Sequence, residues 1–517
     1  MKFPGIVVCL LSAASVPQAQ PVVATVLNAA SNRFRELPYS GVAQGALAVA
    51  YGTGLGPAAL VQAASFPLTP NLAGTSASIT VAGTTVSALM IYTVNTQIAF
   101  LVPSKTPTGV GQMQVTFNGA VSAAAPIEIL DASPGIFTFS QNGSGQSVAT
   151  DALNNAVITL QASAQPGQLL TIWTNGLGAD SGDESKGPTV GDLPVNLDAI
   201  IGGQKAEVLY KGRSGCCSGL DQVNLRVPSG VALGCYVPIY FRTPTFVGNM
   251  VTLPVSANGG PCSNPFDVAN PGLLDRATFS QGTLELDHDT DSRGTSNVGQ
   301  AYFMRYDRSN YSRVQMLDGP PGTCLAAQFR NDGPGVDPAQ PTALDAGARL
   351  TITAGGTSWL LDSGGLGSYF ADLGANSPFN VTGQGALSNG RGGSAINAFS
   401  AAFTLDALPP FRWAETPDRV PVAQPLTFHW SGSDTNGVVH VAGNSAAGNA
   451  SVSIFCTAAP GASELTIPPD VLSELPKGQG FFSVEYRRLG NISGGPAVLD
   501  AFILDRRIRR ARPVVFE

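Results

Sequence analysis

Few side chains in this 517-residue chain are of types and spacings that could do chemistry. Asp287-His288-Asp289-Thr290-Asp291 sets carboxylates at alternate positions, where they could converge on one hard cation such as calcium. The run departs from the calcium-loop pattern. Ser292 stands at the glycine position and Val298 at the position of the bidentate glutamate. A solvated hairpin turn after Leu286 is the better account. His429 and His440 flank an expected hairpin and would face each other across it, but no third ligand accompanies them. Packing or surface positions are therefore favoured over a metal site. Gly52-Thr53-Gly54-Leu55-Gly56 has the glycines of a phosphate loop, yet such a loop should open a helix and these end a strand. No Gly-x-Ser-x-Gly elbow is present for nucleophilic catalysis, and no motif asks for a cofactor. Arg506, Arg507, Arg509, Arg510 and Arg512 read as a solvated basic terminus, with contact to an anionic polymer or lipid as the alternative.

The N-terminus reads as an export signal over residues 1–19. Lys2 precedes an apolar run at 6–11 and small residues at 12–15, with cleavage after Ala14, Ser15 or Ala19. The apolar run is too short to span a bilayer, and no later segment reads as a membrane span. Removing Cys9 with the signal leaves Cys216, Cys217, Cys235, Cys262, Cys324 and Cys456. An even count in an exported chain, without any Cys-x-x-Cys pair, favours disulfides over metal binding or redox catalysis. The expected location is secreted or periplasmic. A formal net charge of −7 argues against a nucleic-acid partner, which wants a basic face.

The elements that must carry these residues are strands. Charged residues make up 12% of the chain against 44% hydrophobic, with 60 Gly and 38 Pro, the composition of many short strands and tight turns. The chain is read as all-β. Gly-Gln-Leu-Leu-Thr-Ile-Trp-Thr-Asn-Gly-Leu-Gly at residues 167–178 repeats Gly-Ala-Leu-Ala-Val-Ala-Tyr-Gly-Thr-Gly-Leu-Gly at 45–56, an offset of 122. Tyr51 then matches Trp173, and both are expected as largely buried anchors. Gln222-Val-Asn-Leu-Arg-Val-Pro-Ser repeats Gln97-Ile-Ala-Phe-Leu-Val-Pro-Ser at an offset of 125, while Gly83 matches Gly203 at 120. The second copy thus carries five extra residues, placed in the loop Gly215-Cys216-Cys217-Ser218-Gly219, since insertions fall in loops. Residues 20–135 and 136–263 are expected as tandem immunoglobulin-like sandwiches, with first-copy strands near 78–81, 86–91, 97–102 and 112–117. Two further β-rich modules follow, 264–407 and an immunoglobulin-like 408–517, joined at Pro409-Pro410. Asp, Glu, Lys and Arg number 21 before residue 264 and 42 from there on, so charge density doubles. A short helical turn is expected at 469–475.

Strand direction pairs two cysteines. If 222–227 runs up, 235–241 down and 250–255 up, Cys235 and Cys262 meet at one end and Cys216 and Cys217 lie at the other. A Cys235–Cys262 bond follows, worth roughly 3–4 kcal/mol on the chain-entropy model. Cys216 and Cys217 either bond to each other or stay free. Adjacent Cα atoms about 3.8 Å apart lie below the usual disulfide window, so such a bond is expected to be strained and reducible. The pairing of Cys324 and Cys456 stays open.

Pro134-Gly-Ile-Phe-Thr138, the Gly-Leu-Gly turn, Cys216-Cys217-Ser-Gly-Leu-Asp-Gln-Val-Asn and Gly234-Cys235-Tyr-Val-Pro resemble the uncharacterised C-terminal domain of Solibacter-type acidobacterial secreted proteins. The strand running into glycines is also similar to IPT/TIG immunoglobulin-like modules. The resemblance covers about residues 20–263 and implies an exported sandwich module, with no activity attached. Two functions remain. One is a non-enzymatic exported protein for adhesion, scaffolding or binding of a surface glycan or protein. The other is an extracellular polymer hydrolase with its site in 264–407, where Tyr302, Arg305, Tyr306 and Asp307 cluster. An acidic pair lining a deep cleft would favour the hydrolase.

Overall fold

The computed structural model describes residues 20–264, 273, 276–291, 294–307, 319–330, 341–374, 381–414 and 417–517. The expected export signal lies outside the described residues. Strands dominate. In the first copy Thr75–Val81 buries every second residue and Ala125–Leu130 does the same, the period-2 pattern of a strand with one face on a core. Pro469–Leu472 is a four-residue helical turn.

The two copies share one topology. Leu47–Thr53 pairs with Gln97–Leu101, and its counterpart Leu169–Asn175 pairs with Asp221–Arg226. The register is conserved: Tyr51 sits opposite Gln97, and Trp173 opposite Gln222. Gly109–Phe117 lies between Thr75–Val81 and Ala125–Leu130, as Gly234–Arg242 lies between Asp198–Ile201 and Val251–Val255. The copies part at one strand. In the first, the stretch expected as one strand at 86–91 breaks at Ala88 into Thr84–Ser87 and Leu89–Val94, which join different sheets. In the second, Gln204–Arg213 stays whole and pairs with Asp198–Ile201 at one end and Asp221–Arg226 at the other, so one continuous sheet wraps the core.

Tyr51 and Trp173 are half-buried rather than largely buried. The anchor is instead the leucine inside each glycine turn: Leu55 and Leu177 are 0% and 1% exposed. The flanking glycines make this possible. Gly54, Gly176 and Gly178 have φ of +67°, +92° and +112°, and a Cβ on Gly56 would meet Thr93 Oγ1 at 2.0 Å.

The C-terminal half forms two lobes on one 14-stranded sheet, and that sheet crosses the expected boundary at 407. Thr278–Asp291 pairs antiparallel with Gly294–Asp307 and, on its other side, parallel with the final strand Ala501–Phe516. Thr323–Arg330 pairs with Ala450–Thr457. Leu325 and Ala326 consequently pack in the core of the C-terminal lobe, while Ile492, Phe502 and Leu504 pack in that of residues 284–405. Residues 406–411, which hold the Pro-Pro joint, belong to no strand.

The first repeat also docks on the C-terminal lobe. Arg33 Nη1 lies 2.5 Å from Glu474 Oε2, with both side chains buried. Gln328 Nε2 donates to the carbonyls of Ser31 (3.1 Å) and Asn32 (3.0 Å), and the Arg330 guanidinium lies over the Phe34 ring. The second repeat makes its own link, since Asp470 accepts from Arg242 (2.6 Å) and Tyr240 (3.0 Å). Between the repeats, Asn175 accepts from the Leu47 N–H at 2.8 Å and donates to Asn28 at 3.1 Å.

Candidate functional site

Parts of the aspartate and arginine runs singled out in the sequence, Asp287, Asp289, Arg507 and Arg509, meet on one face of the shared sheet. Along Thr278–Asp291, Leu284 and Leu286 point into the core, so Glu285, Asp287 and Asp289 share the opposite face. Parallel pairing sets Asp505, Arg507 and Arg509 beside them, one opposite each. The next strand, Gly478–Asn491, adds Arg487 opposite Arg507 and Glu485 opposite Arg509, and His440 lies opposite Glu485. Gln300 and Tyr302 approach from Gly294–Asp307.

The ion pairs are allotted unevenly. Arg507 bonds Glu285 (2.9 Å) and Asp505 (2.6 Å), Arg487 bonds Asp505 (2.8 Å), and Arg509 bonds Asp289 (2.7 Å). Asp287 is 2% exposed and has no such partner among the described residues. Gln300 Nε2 reaches its Oδ2 at 3.4 Å, and its Oδ1 accepts no hydrogen bond among the described residues. Burial, reinforced by the adjacent Glu285 carboxylate, pushes Asp287 up to about 9. Burial raises Glu285 as well. Burial alone would also raise Asp505, but the Arg487 and Arg507 guanidiniums outweigh it and hold that carboxyl below its ordinary value.

Several expectations are thereby corrected. The aspartate run is neither a calcium loop nor a turn after Leu286. The strand continues to Asp291, where Asp291 pairs with Gly294, because alternation gives Leu284 and Leu286 a core to enter. Asp287 and Asp289 lie opposite Arg507 and Arg509, and the Asp291 side chain lies outside the described residues. Among the described residues, no group of three or more His, Cys, Asp or Glu side chains could hold a metal ion. The arginine run is no solvated tail: it lies within Ala501–Phe516, and Arg506 is 5% exposed with Nη1 donating to the Asp406 carbonyl at 2.6 Å. His429 and His440 sit in different sheets, and His429 pairs with Glu464 at 3.2 Å. His288 Nδ1 lies 2.7 Å from Asn297 Oδ1. The cluster at 302–307 does not converge either. Tyr302 joins the acidic face, Tyr306 stacks on Phe279, and Arg305 contacts Ser280. Gly52–Gly56 ends the strand Leu47–Thr53 and opens no helix.

The cysteines form three bonds: Cys216–Cys217, Cys235–Cys262 and Cys324–Cys456, with Cα separations of 3.8, 5.1 and 4.0 Å. Cys324 and Cys456 face each other across neighbouring strands that come from either side of residue 407. This bond closes a sequence separation of 132. Replacing both cysteines by serine is expected to cost about 4–5 kcal/mol of stability on the chain-entropy model, read as a lower urea midpoint for the C-terminal half. An unchanged midpoint would refute that role.

Cys216 and Cys217 are the exposed pair. Their loop is pinned at both roots. Arg213 pairs with Asp221, and both are buried beneath it. Arg213 Nη2 also donates to the Gly178 carbonyl at 2.7 Å, and Ser218 Oγ donates to the Glu184 carbonyl at 2.9 Å. Glu184 in turn accepts from Ser104 N at 2.9 Å and Oγ at 2.6 Å, so the loop is tied to the first repeat. The five-residue insertion was the signal that located this loop; nothing in the sequence marked Arg213 as its buried support.

No family model matches the chain, and no curated protein matches it. Among solved structures, a tetra-tandem repeat from the extending region of a large adhesion protein is 14% identical, covering 95% of this chain and 99% of that one, at a TM-score of 0.14. Domains 4–9 of the surface layer protein SbsC are 10% identical over 96% of this chain and 66% of that one, at a TM-score of 0.18. Likeness at this level carries no argument about function. No helix among the described residues is long and apolar enough to cross a membrane.

Proposed function

We propose that this chain is an exported, non-enzymatic multi-module β-sandwich protein that binds or scaffolds a cell-surface glycan or protein. The observation that carries this reading is where the acidic pair sits. A polymer hydrolase needs its two carboxyls beside a cleft that admits the substrate. Glu285 and Asp287 instead lie within the sheet, with Arg507 on one and Gln300 on the other, and Asp287 is 2% exposed. Their setting is that of groups holding strands together. Three disulfides support the exported location, since such bonds persist in oxidising compartments. Polar ties between the repeats and the C-terminal lobe, a buried one at Arg33–Glu474 and a part-buried one at Arg242–Asp470, support a stiff scaffold over a flexible string of modules.

The test uses residues 20–517 on a glycan array and in pull-downs from cell-surface extracts, alongside release of reducing ends or peptides from common extracellular polymers. Selective retention of one glycan or surface protein is expected, and it should survive Asp287→Asn. Polymer turnover abolished by Asp287→Asn would replace this reading with the hydrolase.

A further inference from the structure

We infer that Cys216–Cys217 is a thiol–disulfide exchange site, reduced reversibly by a dithiol, and that it is separate from the structural disulfides of the chain. The inference rests on exposure, connectivity and one hydrogen bond, independently of the function proposed above.

Exposure divides the three bonds. Cys216 and Cys217 are both exposed, whereas Cys235, Cys262 and Cys456 are 3%, 1% and 1% exposed and Cys324 is half-buried. A thiolate must reach sulfur to exchange, so access alone favours the first pair. Connectivity divides them the same way. The sequence separations are 1, 27 and 132, and a bond between neighbours restrains the unfolded chain far less than either of the others. The loop is held without it, by Arg213–Asp221 and Ser218–Glu184. Opening this bond therefore leaves the fold in place.

The hydrogen bond sets the order of attack. Ser214 is 1% exposed, and its Oγ lies 3.5 Å from Cys216 Sγ. A disulfide sulfur carries no proton, so the hydroxyl is the donor, and it can stabilise negative charge developing on Cys216. One thiolate of the dithiol attacks Cys217 Sγ, forming a mixed disulfide and releasing Cys216 as a thiolate beside Ser214. The second thiolate of the reagent then attacks its own sulfur in the mixed disulfide and releases Cys217. Two electrons and two protons pass from the dithiol, which becomes a cyclic disulfide, to the two cysteines. A monothiol gains nothing lasting from the first step, because the adjoining Cys216 thiolate attacks Cys217 Sγ, expels the monothiol as its thiolate and closes the ring again.

The test treats the full folded chain with dithiothreitol, traps thiols by alkylation and locates them by peptide mass spectrometry. Two labels are expected, on Cys216 and Cys217, with the other four cysteines protected and the thermal midpoint unchanged. Labelling of Cys235, Cys262, Cys324 or Cys456 at the same rate, or a midpoint that falls as Cys216 and Cys217 react, overturns the inference. Glutathione is expected to leave no trapped mixed disulfide, and its accumulation on Cys217 would overturn the dithiol requirement. Ser214 is a positioning residue. Ser214→Ala should slow reduction about tenfold and raise the pH at which the Cys216 thiol of the reduced protein titrates. An unchanged rate and titration overturn the assigned order of attack.

Discussion

Asp287→Asn is expected to stabilise the C-terminal half of the protein, with the gain growing as the pH rises. In the folded chain the carboxyl is pushed up to about 9 by burial and by Glu285, against an ordinary value of 3.8. Between those values the folded protein holds a proton that the unfolded chain has released, so stability falls as pH rises through this window. The slope contributed by this group reaches about 1.4 kcal/mol per pH unit. Below the ordinary value both states are protonated and the penalty vanishes; above about 9 both are ionised and it grows no further. The groups facing Asp287 explain why it is the protonated member. Glu285, Asp289, Glu485 and Asp505 are four other carboxyls against Arg487, Arg507 and Arg509, and those three cations are engaged elsewhere. Tyr302 and His440 border the set. Asparagine matches the neutral carboxyl in shape and cannot ionise. Urea midpoints at pH 5, 7 and 9 should converge at the acid end and separate steadily towards pH 9. Parallel profiles for the two proteins would sink this account.

Arg33→Ala is expected to cost about 3–5 kcal/mol, the usual result of removing one partner from a buried ion pair. Arg33 and Glu474 are 5% and 1% exposed, 441 residues apart, and join the first repeat to the C-terminal lobe. Without the guanidinium, the Glu474 carboxylate would be buried with its Oε1 already lacking a partner among the described residues. Burial outweighs Arg33 even now, holding the Glu474 carboxyl above its ordinary value. Glu474→Gln should therefore cost less than Arg33→Ala, and the pair Arg33→Met with Glu474→Met should recover most of the loss. Calorimetry reads the transition, and limited proteolysis near residues 31–40 reads the released contact. A loss confined to the rim, below about 1 kcal/mol, would place this pair with exposed salt bridges instead.

Much of the architecture was legible in the sequence because it is written in local signals. Alternating apolar residues and glycine turns specify strands over short windows, and the constant offset between Tyr51 and Trp173 exposed a repeat whose register the structure reproduces. The change of offset placed the cysteine loop, since an insertion must leave strands intact. What escaped were relations that no window contains. Asp287 read as a turn because polar alternation looks the same whether the polar face meets water or arginines. Those arginines arrive on the last strand of the chain, more than 200 residues away, by parallel pairing.

By itself, the sequence determined the all-β class, the duplicated first half and the location of its extra loop. Each of these follows from steric and hydrophobic preferences of neighbouring residues. Only the tertiary structure decided that strands from both sides of residue 407 share one sheet, that the terminal arginines are embedded in it, and that Arg33 finds Glu474. Those outcomes depend on which distant strand edges and buried charges meet. The free energy of such encounters lies in desolvation and pairing across space, and no residue announces its partner in advance.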